Sequence, residues 1–192
     1  MKICFDPLRD AVSRIDNEAS VREALSSAAA RTGFDGFAYL TSQASWTFAI
    51  SDYHAEWQQH YFSAGYDKVD PIVAMGKSRN QAFTWVTELG IKHASREVRR
   101  FWAEAWDNNI RSGLTIPIRT NHGQMSMLTF ASGRADVSPN CDVDVTAAAA
   151  LVGQLHGRLE VLKASPTAKT NFYLRDNERT YLEWIARGKK NA

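Results

Sequence analysis

Residues 113–132 read GLTIPIRTNHGQMSMLTFAS, two runs of apolar and β-branched residues on either side of Asn-His-Gly. Side chains of a strand alternate between two faces, and Asn and Gly favour the tight turns that join paired strands. The stretch therefore predicts a β-hairpin whose Thr115, Met127 and Thr129 side chains point toward one face. It makes an antiparallel sheet the framework of the fold, to which the other segments are added.

The segments before and after this hairpin supply the other elements. Aromatic and β-branched content predicts strands in GFAYLTS at 36–42, in WTFAIS at 46–51 and at 83–86. Helical spacing of apolar residues, with Asn17 as an N-cap and Gly33 as a C-terminal stop, predicts helices at 17–33, 54–64, 71–79, 95–109 and 142–163. We therefore expect an α/β/α sandwich with a central five-stranded antiparallel sheet and a long C-terminal helix.

Composition places the chain among ordinary globular proteins. Its 192 residues, 44% of them hydrophobic, are enough for one principal domain with a full core. Cys4 and Cys141 lie far apart, without the spacing of a metal site or a disulfide framework. No signal peptide and no apolar run of about 20 residues is present, so we expect a cytoplasmic protein that does not enter a membrane.

The charge is unevenly distributed. Residues 165–192 hold six of the 23 basic side chains and three of the 21 acidic ones, which leaves the rest of the chain close to neutral. Binding to nucleic acid draws its affinity from many Lys and Arg contacts to phosphates. The main body is therefore not expected to hold nucleic acid.

An aromatic stretch, YHAEWQQHYFSAGYDKVDP at 53–71, contains the candidate functional residues. On a helix, Tyr53, Trp57 and Tyr61 would share one face. One interpretation is an ordinary core stripe, with Asp70 as a helix cap before Pro71. The other is a small-molecule pocket in which Tyr53 and Trp57 are buried donors and Asp70 is a buried acceptor.

Such a pocket suits a ligand with a polar head that both donates and accepts hydrogen bonds and with an apolar tail. An N-acylated lactone has this chemistry, because its amide N–H needs an acceptor and its carbonyls need donors. Each buried CH₂ of the tail would contribute about 0.8 kcal/mol.

The order Tyr53, Trp57, Tyr61, Asp70-Pro71, Trp85 and Gly113 resembles the autoinducer-binding domain of LuxR-type quorum-sensing regulators. The similarity is greatest to the TraR branch, the activators of conjugal plasmid transfer, and runs from the first helix to about Gly188. The resemblance implies that the domain binds an N-acyl homoserine lactone. Trp57 would donate to the lactone carbonyl and Tyr53 to the acyl carbonyl, while Asp70 would accept the amide N–H.

The resemblance also implies the lining of the pocket. Ala38 and Thr129 match positions that reach a 3-oxo group through water, which favours 3-oxo-octanoyl homoserine lactone as the ligand. Trp102 stands where close relatives carry tyrosine. The other implied lining residues are Tyr61, Phe62, Val73, Trp85, Phe101, Trp102, Ala105, Ile110, Thr115 and Met127.

The same resemblance implies a domain plan. Residues 1–164 would form the autoinducer-binding and dimerisation domain, 165–174 a linker, and 175–192 the first helix of a helix-turn-helix DNA-binding domain that is not completed. We therefore expect no specific DNA binding, a homodimer, and an inactive heterodimer with a full-length TraR-type activator, which makes the chain an anti-activator. The expected dimer interface is formed by Ala147, Ala150, Leu151, Leu155 and Leu159.

Three alternatives stay open from the residues. The chain could be a fragment of an activator, a protein that buffers free lactone, or a lactone-cleaving enzyme. The sequence has no Gly-x-Ser-x-Gly, Gly-rich phosphate loop or His-Glu-x-x-His motif, so we expect no enzyme and no catalytic residue. His54 and His60 fall on different helix faces and predict no metal site or cofactor.

Overall fold

The computed structural model of the chain describes residues 6–42, 47–90, 94–120, 124–135, 139 and 143–164. Five strands form one sheet in the order β2-β1-β5-β4-β3, and every neighbouring pair is antiparallel. The strands are β1 Gly36–Ser42, β2 Thr47–Ser51, β3 Phe83–Val86, β4 Ser112–Arg119 and β5 Met125–Ser132. The helices are α1 Asp6–Val12, α2 Glu18–Thr32, α3 Ala55–Ser63, α4 Pro71–Ser78, α5 Thr87–Gly90, α6 Arg96–Asp107 and α7 Val145–Ala164.

The predicted hairpin lies inside the sheet. β4 and β5 pair from Ser112 opposite Ser132 to Arg119 opposite Met125. The Asn-His-Gly turn at 121–123 lies outside the described residues. Along β5 the side chains alternate as predicted, with Met127 on one face and Leu128 and Phe130 on the other. The hairpin therefore contributes side chains to the hydrophobic cores on both faces of the sheet.

The first core lies between one face of the sheet and helices α1, α2 and α7. Asn17 caps α2 by accepting from the Ser20 amide, and Gly33 ends it in the left-handed conformation at φ 88°. Leu25 of α2 and Leu155 of α7 are fully buried against sheet residues such as Phe37. We call the buried side chains of this core the first cluster. It contains no residue predicted to bind the ligand.

The second core lies on the opposite face, under α3, α4 and α6. These helices contribute Trp57, Val73 and Phe101, which pack with Met127 of the sheet. We call this set of buried side chains the second cluster. Because helices cover both faces of the five-stranded antiparallel sheet, the predicted α/β/α sandwich is confirmed.

Three local elements were not predicted from the sequence: α1, α5 and the 3-10 turn Tyr66–Lys68. Each is at most seven residues long, too short for an apolar period to stand out. Tyr53 also differs from expectation, because α3 begins at Ala55 and the preceding His54 has a non-helical backbone. The helical face therefore carries Trp57 and Tyr61 without Tyr53.

The predicted linker at 165–174 and helix at 175–192 lie outside the described residues. In the part of the chain that the structure describes, no helix combines the length and the apolar character needed to cross a bilayer.

Candidate ligand-binding site

Asp70 lies at the start of α4. It is both a helix cap and a buried acceptor, so it fits both interpretations of the sequence. Its Oδ1 accepts from the Ile72 amide at 2.7 Å, so Asp70 caps the helix, and Pro71 occupies the first turn. Its Oδ2 accepts from the Tyr61 hydroxyl at 2.9 Å. The carboxylate is thereby held rigidly between a helix end and an aromatic side chain.

Burial dominates the electrostatics of this carboxyl group. Asp70 is only 8% exposed, and its desolvation raises the pKa to about 6, although hydrogen bonds from Tyr61 and from the Ile72 and Val73 amides oppose the rise. Burial also raises the pKa of Tyr53 and Tyr61 well above the ordinary tyrosine value. Both phenols are therefore neutral donors at neutral pH.

Aromatic rings surround the Asp70 end of the second cluster. The Trp57 ring lies 6.1 Å from Tyr61 in an edge-to-face arrangement and 6.4 Å from Phe101. Tyr66 joins the group with its ring 6.1 Å from Trp57 and 5.3 Å from Phe101. Rings at these separations provide a large, rigid apolar surface beside a single acid.

A second polar group lies on the sheet, next to Trp85 of the second cluster. The Trp85 indole N–H donates to Thr115 Oγ1 at 3.0 Å, and the hydroxyls of Thr115 and Thr129 are 2.9 Å apart. Ala38 lies opposite Thr129 on the neighbouring strand. The structure therefore brings together the two residues that the resemblance assigned to a 3-oxo group.

The remaining predicted lining residues are placed as follows. Phe62 is half-buried with its ring 5.2 Å from Tyr61, and Tyr53 is a partly buried neighbour of the second cluster. Six further predicted lining residues are buried members of the cluster: Val73, Phe101, Trp102, Ala105, Ile110 and Met127.

The second cluster also contains residues that sequence analysis did not name: Leu40, Tyr66, Ile72, Phe83, Met125 and Ala131. The period-2 rule pointed to four of them, because Leu40, Phe83, Met125 and Ala131 each lie two residues from a predicted lining residue on the same strand. Tyr66 lies in the 3-10 turn, and no periodic signal marks its burial.

A cleft of about 170 Å³ borders the second cluster at the Trp57 and Tyr53 side chains. Ile110 also lines it, together with the exposed carboxylates of Asp35 and Asp52. The second cluster is thus open to solvent at its Trp57 side.

Glu104 of α6 forms hydrogen bonds that connect the helices covering the site. Its Oε2 accepts from the Tyr66 hydroxyl at 2.5 Å and lies 2.6 Å from His60 Nε2 of α3, while Oε1 accepts from Arg100 Nε at 2.8 Å. Burial alone would raise the pKa of Glu104, but the hydrogen bonds from Tyr66, Arg100 and His60 lower it to about 2. We call this group of four side chains the Glu104 cluster.

The five residues expected at a dimer interface divide between the two sides of α7. Leu151, Leu155 and Leu159 are buried in the first cluster against this chain's own sheet. Ala147 is partly buried and Ala150 is exposed. Of the five, Ala150 is the one whose side chain is fully available at the surface.

The second face of the sheet combines aromatic side chains with a few buried polar groups, which is the composition typical of small-molecule pockets. A protein-family model described as "Autoinducer binding domain" matches residues 17–159. The chain therefore belongs to the LuxR family of autoinducer-binding proteins.

Named relatives agree with this assignment. The chain is 42% identical to the transcriptional activator protein TraR of Agrobacterium vitis and 39% identical to TraR of Rhizobium radiobacter, each over 98% of this chain and 81% of the relative. It is 25% identical to the quorum-sensing regulator RhlR of Pseudomonas aeruginosa over 98% of this chain and 78% of that protein. These relatives are regulators rather than enzymes.

Solved structures share the fold at lower identity. The N-acylhomoserine lactone-dependent factor CepR2 of Burkholderia cenocepacia superposes with a TM-score of 0.61 at 20% identity, covering 82% of this chain and 91% of CepR2. SdiA in complex with octanoyl-rac-glycerol superposes with a TM-score of 0.66 at 17% identity, covering 95% of this chain and 75% of SdiA. The sandwich is therefore common to receptors whose sequences have diverged widely.

Proposed function

We propose that the chain binds an N-acyl homoserine lactone in the second cluster as a quorum-sensing receptor. The observation that carries the proposal is the buried Asp70 carboxylate, held by Tyr61 and the Ile72 amide beside a cage of aromatic rings. Asp70 accepts the amide N–H of the ligand, Trp57 donates to the lactone carbonyl, and Tyr53 donates to the acyl carbonyl.

The acyl chain extends from this head group toward Thr115 and Thr129. Burial of eight carbons contributes roughly 6 kcal/mol before the cost of association is subtracted. The adjacent Ala38 and Thr129 support 3-oxo-octanoyl homoserine lactone as the ligand.

The direct test is to express the chain with 3-oxo-octanoyl homoserine lactone, purify it, and extract the ligand for mass spectrometry. We expect intact lactone at about one molecule per chain in the wild type and a loss of at least about tenfold in affinity for Asp70→Asn, because the charged acceptor is removed. Asp107→Asn, at an exposed acid on α6, is the matched control.

Two outcomes would contradict this assignment. Equal retention of lactone by wild type and Asp70→Asn would remove Asp70 from the site. Recovery of the ring-opened product would instead favour the lactone-cleaving enzyme.

We also propose that the chain pairs through the exposed side of α7. A row along this helix carries Ala150, Gly153, Gly157 and the 58%-exposed Val161. A Cβ added at Gly153 or Gly157 would meet nothing within 4 Å, so the fold of one chain does not require glycine there. Small residues on an exposed helix face allow a second helix to approach closely.

On this basis, the 192-residue polypeptide forms a heterodimer with a full-length TraR-type activator and inhibits it. In a dimer where only the activator supplies a DNA-binding module, the loss of half of the DNA contacts would cost several kcal/mol of specific binding. The polypeptide would then act as an anti-activator of genes under quorum control.

The test is to co-express the two differently tagged proteins with 3-oxo-octanoyl homoserine lactone and to measure both co-purification and operator binding. A heterodimer that fails to shift operator DNA supports the anti-activator. A heterodimer that binds DNA normally, or the absence of any heterodimer, contradicts it. Inhibition that excess lactone relieves points instead to a lactone buffer.

A further inference from the structure

Trp102 carries a buried hydrogen-bond donor that the protein does not use. Its side chain is 2% exposed, and its indole N–H has no hydrogen-bond partner among the described residues. A buried N–H without an acceptor is uncommon, since nothing replaces the hydrogen bond to water that folding removes. Trp85 beside it differs, because its N–H donates to Thr115.

Neighbouring aromatic rings connect Trp102 to both polar groups of the candidate site. Its ring lies 5.0 Å from Phe101, which packs against Trp57 at the Asp70 end. The ring also lies 5.9 Å from Trp85, whose N–H donates to Thr115. A ligand that extends from Asp70 toward Thr129 would pass close to Trp102.

The polar groups nearest to this position already have partners. Both oxygens of Asp70 accept hydrogen bonds, from Tyr61 and from the Ile72 amide. The hydroxyls of Thr115 and Thr129 are paired with each other. None of these oxygens accepts from the Trp102 N–H in the ligand-free protein, so an oxygen of the ligand is a suitable acceptor.

We propose that the indole N–H of Trp102 donates a hydrogen bond to an oxygen on the acyl chain of the bound lactone, and that Trp102 thereby selects chains that carry such an oxygen. The inference rests on the proposed function and adds a specificity-determining residue to it. An oxo or hydroxyl oxygen satisfies the donor, whereas an unsubstituted methylene chain leaves it buried and unpaired.

The experiment compares binding of 3-oxo-octanoyl and octanoyl homoserine lactone to the full chain. We expect the wild type to prefer the 3-oxo ligand by about tenfold, the usual effect of an unpaired buried donor. Trp102→Phe keeps an aromatic ring without the N–H, and the preference should fall to about twofold or less. Trp106→Phe is the matched control, because Trp106 lies on the same helix but is not a member of the second cluster; it should keep the wild-type preference.

A spectroscopic readout separates the hydrogen bond from loss of packing and uses the wild-type protein. One of the six tryptophan indole ¹⁵N–¹H resonances should shift downfield with the 3-oxo ligand and much less with the octanoyl ligand. This resonance is assigned to Trp102 by its absence from the spectrum of Trp102→Phe. If that variant does not fold, Trp102→Tyr replaces it.

The failures are distinguishable. If the wild type binds neither lactone, the proposed function is wrong and this inference falls with it. If both bind but Trp102→Phe keeps the wild-type preference, or the assigned resonance responds equally to both ligands, Trp102 is not the selecting residue and the proposed function stands.

Discussion

Asp70 combines two tasks that place opposite demands on one carboxyl group. As the N-cap of α4 it satisfies a backbone amide, and ionisation strengthens that bond. As a buried group it resists ionisation, and the pKa rises to about 6. A ligand amide N–H placed against the carboxylate would relieve part of this penalty, which is a physical reason for a binding protein to keep the acid there.

The first prediction concerns the pH dependence of stability without ligand. Because the folded pKa of Asp70 is above the unfolded value of 3.8, folding favours the protonated form. The contribution of this group to the free energy of unfolding should therefore fall as pH rises from about 4 to about 7, by up to about 3 kcal/mol. Asp70→Asn cannot ionise and should lack this dependence. Urea denaturation of both proteins across this range measures the difference, and parallel curves would contradict it.

Gly113 shows how closely the sheet and the site are packed. A Cβ at this position would lie 2.4 Å from Trp85 Cζ2 and 2.5 Å from the Phe130 carbonyl oxygen. The indole can lie across the strand only because residue 113 has no side chain. Any other residue would push Trp85 away from Thr115.

The second prediction follows from this contact. Gly113→Ala should lower the free energy of unfolding by about 3 kcal/mol or more, because both strand backbone and ring must move. Gly153→Ala is the matched control, since its Cβ meets nothing within 4 Å and alanine should stabilise a helix by up to about 1 kcal/mol. Chemical denaturation of the two variants checks the difference; similar stabilities would show that the strand accommodates the extra methyl group.

At the scale of the elements, the Glu104 cluster ties together three segments that cover the site. Glu104 belongs to α6, His60 to α3 and Tyr66 to the 3-10 turn between α3 and α4. The cluster therefore helps to hold the helical layer over the second cluster.

The third prediction is that Glu104→Gln lowers the free energy of unfolding by about 1–3 kcal/mol at neutral pH, since it weakens hydrogen bonds to a charged acceptor. The folded pKa of about 2 lies below the ordinary value of 4.5, so this stabilisation is present above pH 4.5 and is lost as pH falls toward 2. The difference in the free energy of unfolding between wild type and variant, measured by urea denaturation, should therefore disappear as pH falls over that range.

Asp107→Asn, on the same helix but exposed, serves as the control for charge alone. If Asp107→Asn lowers the free energy of unfolding as much as Glu104→Gln does, the effect comes from the net charge of α6. A gap that stays constant as pH falls would show that ionisation of Glu104 is not its origin.

At the scale of the whole molecule, the sheet separates two tasks. The second cluster on one face is proposed to hold the ligand, and the first cluster on the other face anchors α7. Leu151, Leu155 and Leu159 attach α7 to the sheet, which leaves its opposite side for a partner. A change on that side should alter assembly without altering the core.

The fourth prediction tests this separation. Ala150→Glu should shift the protein from dimer to monomer in sedimentation or light scattering, because it places a charge in the proposed contact between helices. Lactone binding and the unfolding transition of the monomer should be retained. Ala103→Glu, at an exposed site on α6, is the control and should leave the oligomeric state unchanged. Dimers of equal strength in both variants would contradict pairing through this side of α7.

Local signals in the sequence were sufficient to predict most of the helices and strands. The Asn17 cap, the Gly33 stop and the alternation across the 113–132 hairpin each depend on neighbours within a few residues, and the structure confirms them. Short segments such as α1 were missed because seven residues give too few apolar positions to define a period.

The amino-acid sequence by itself determined where the long helices and strands form and which donors and acceptors are available, because periodicity and capping act over a few residues. Only the tertiary structure decided which of these residues meet. It directs Leu151, Leu155 and Leu159 into the core, pairs Tyr61 with Asp70, and leaves the Trp102 N–H without a partner. Such contacts join residues distant in the chain, and they depend on how helices pack on the two faces of the sheet, which no local pattern specifies.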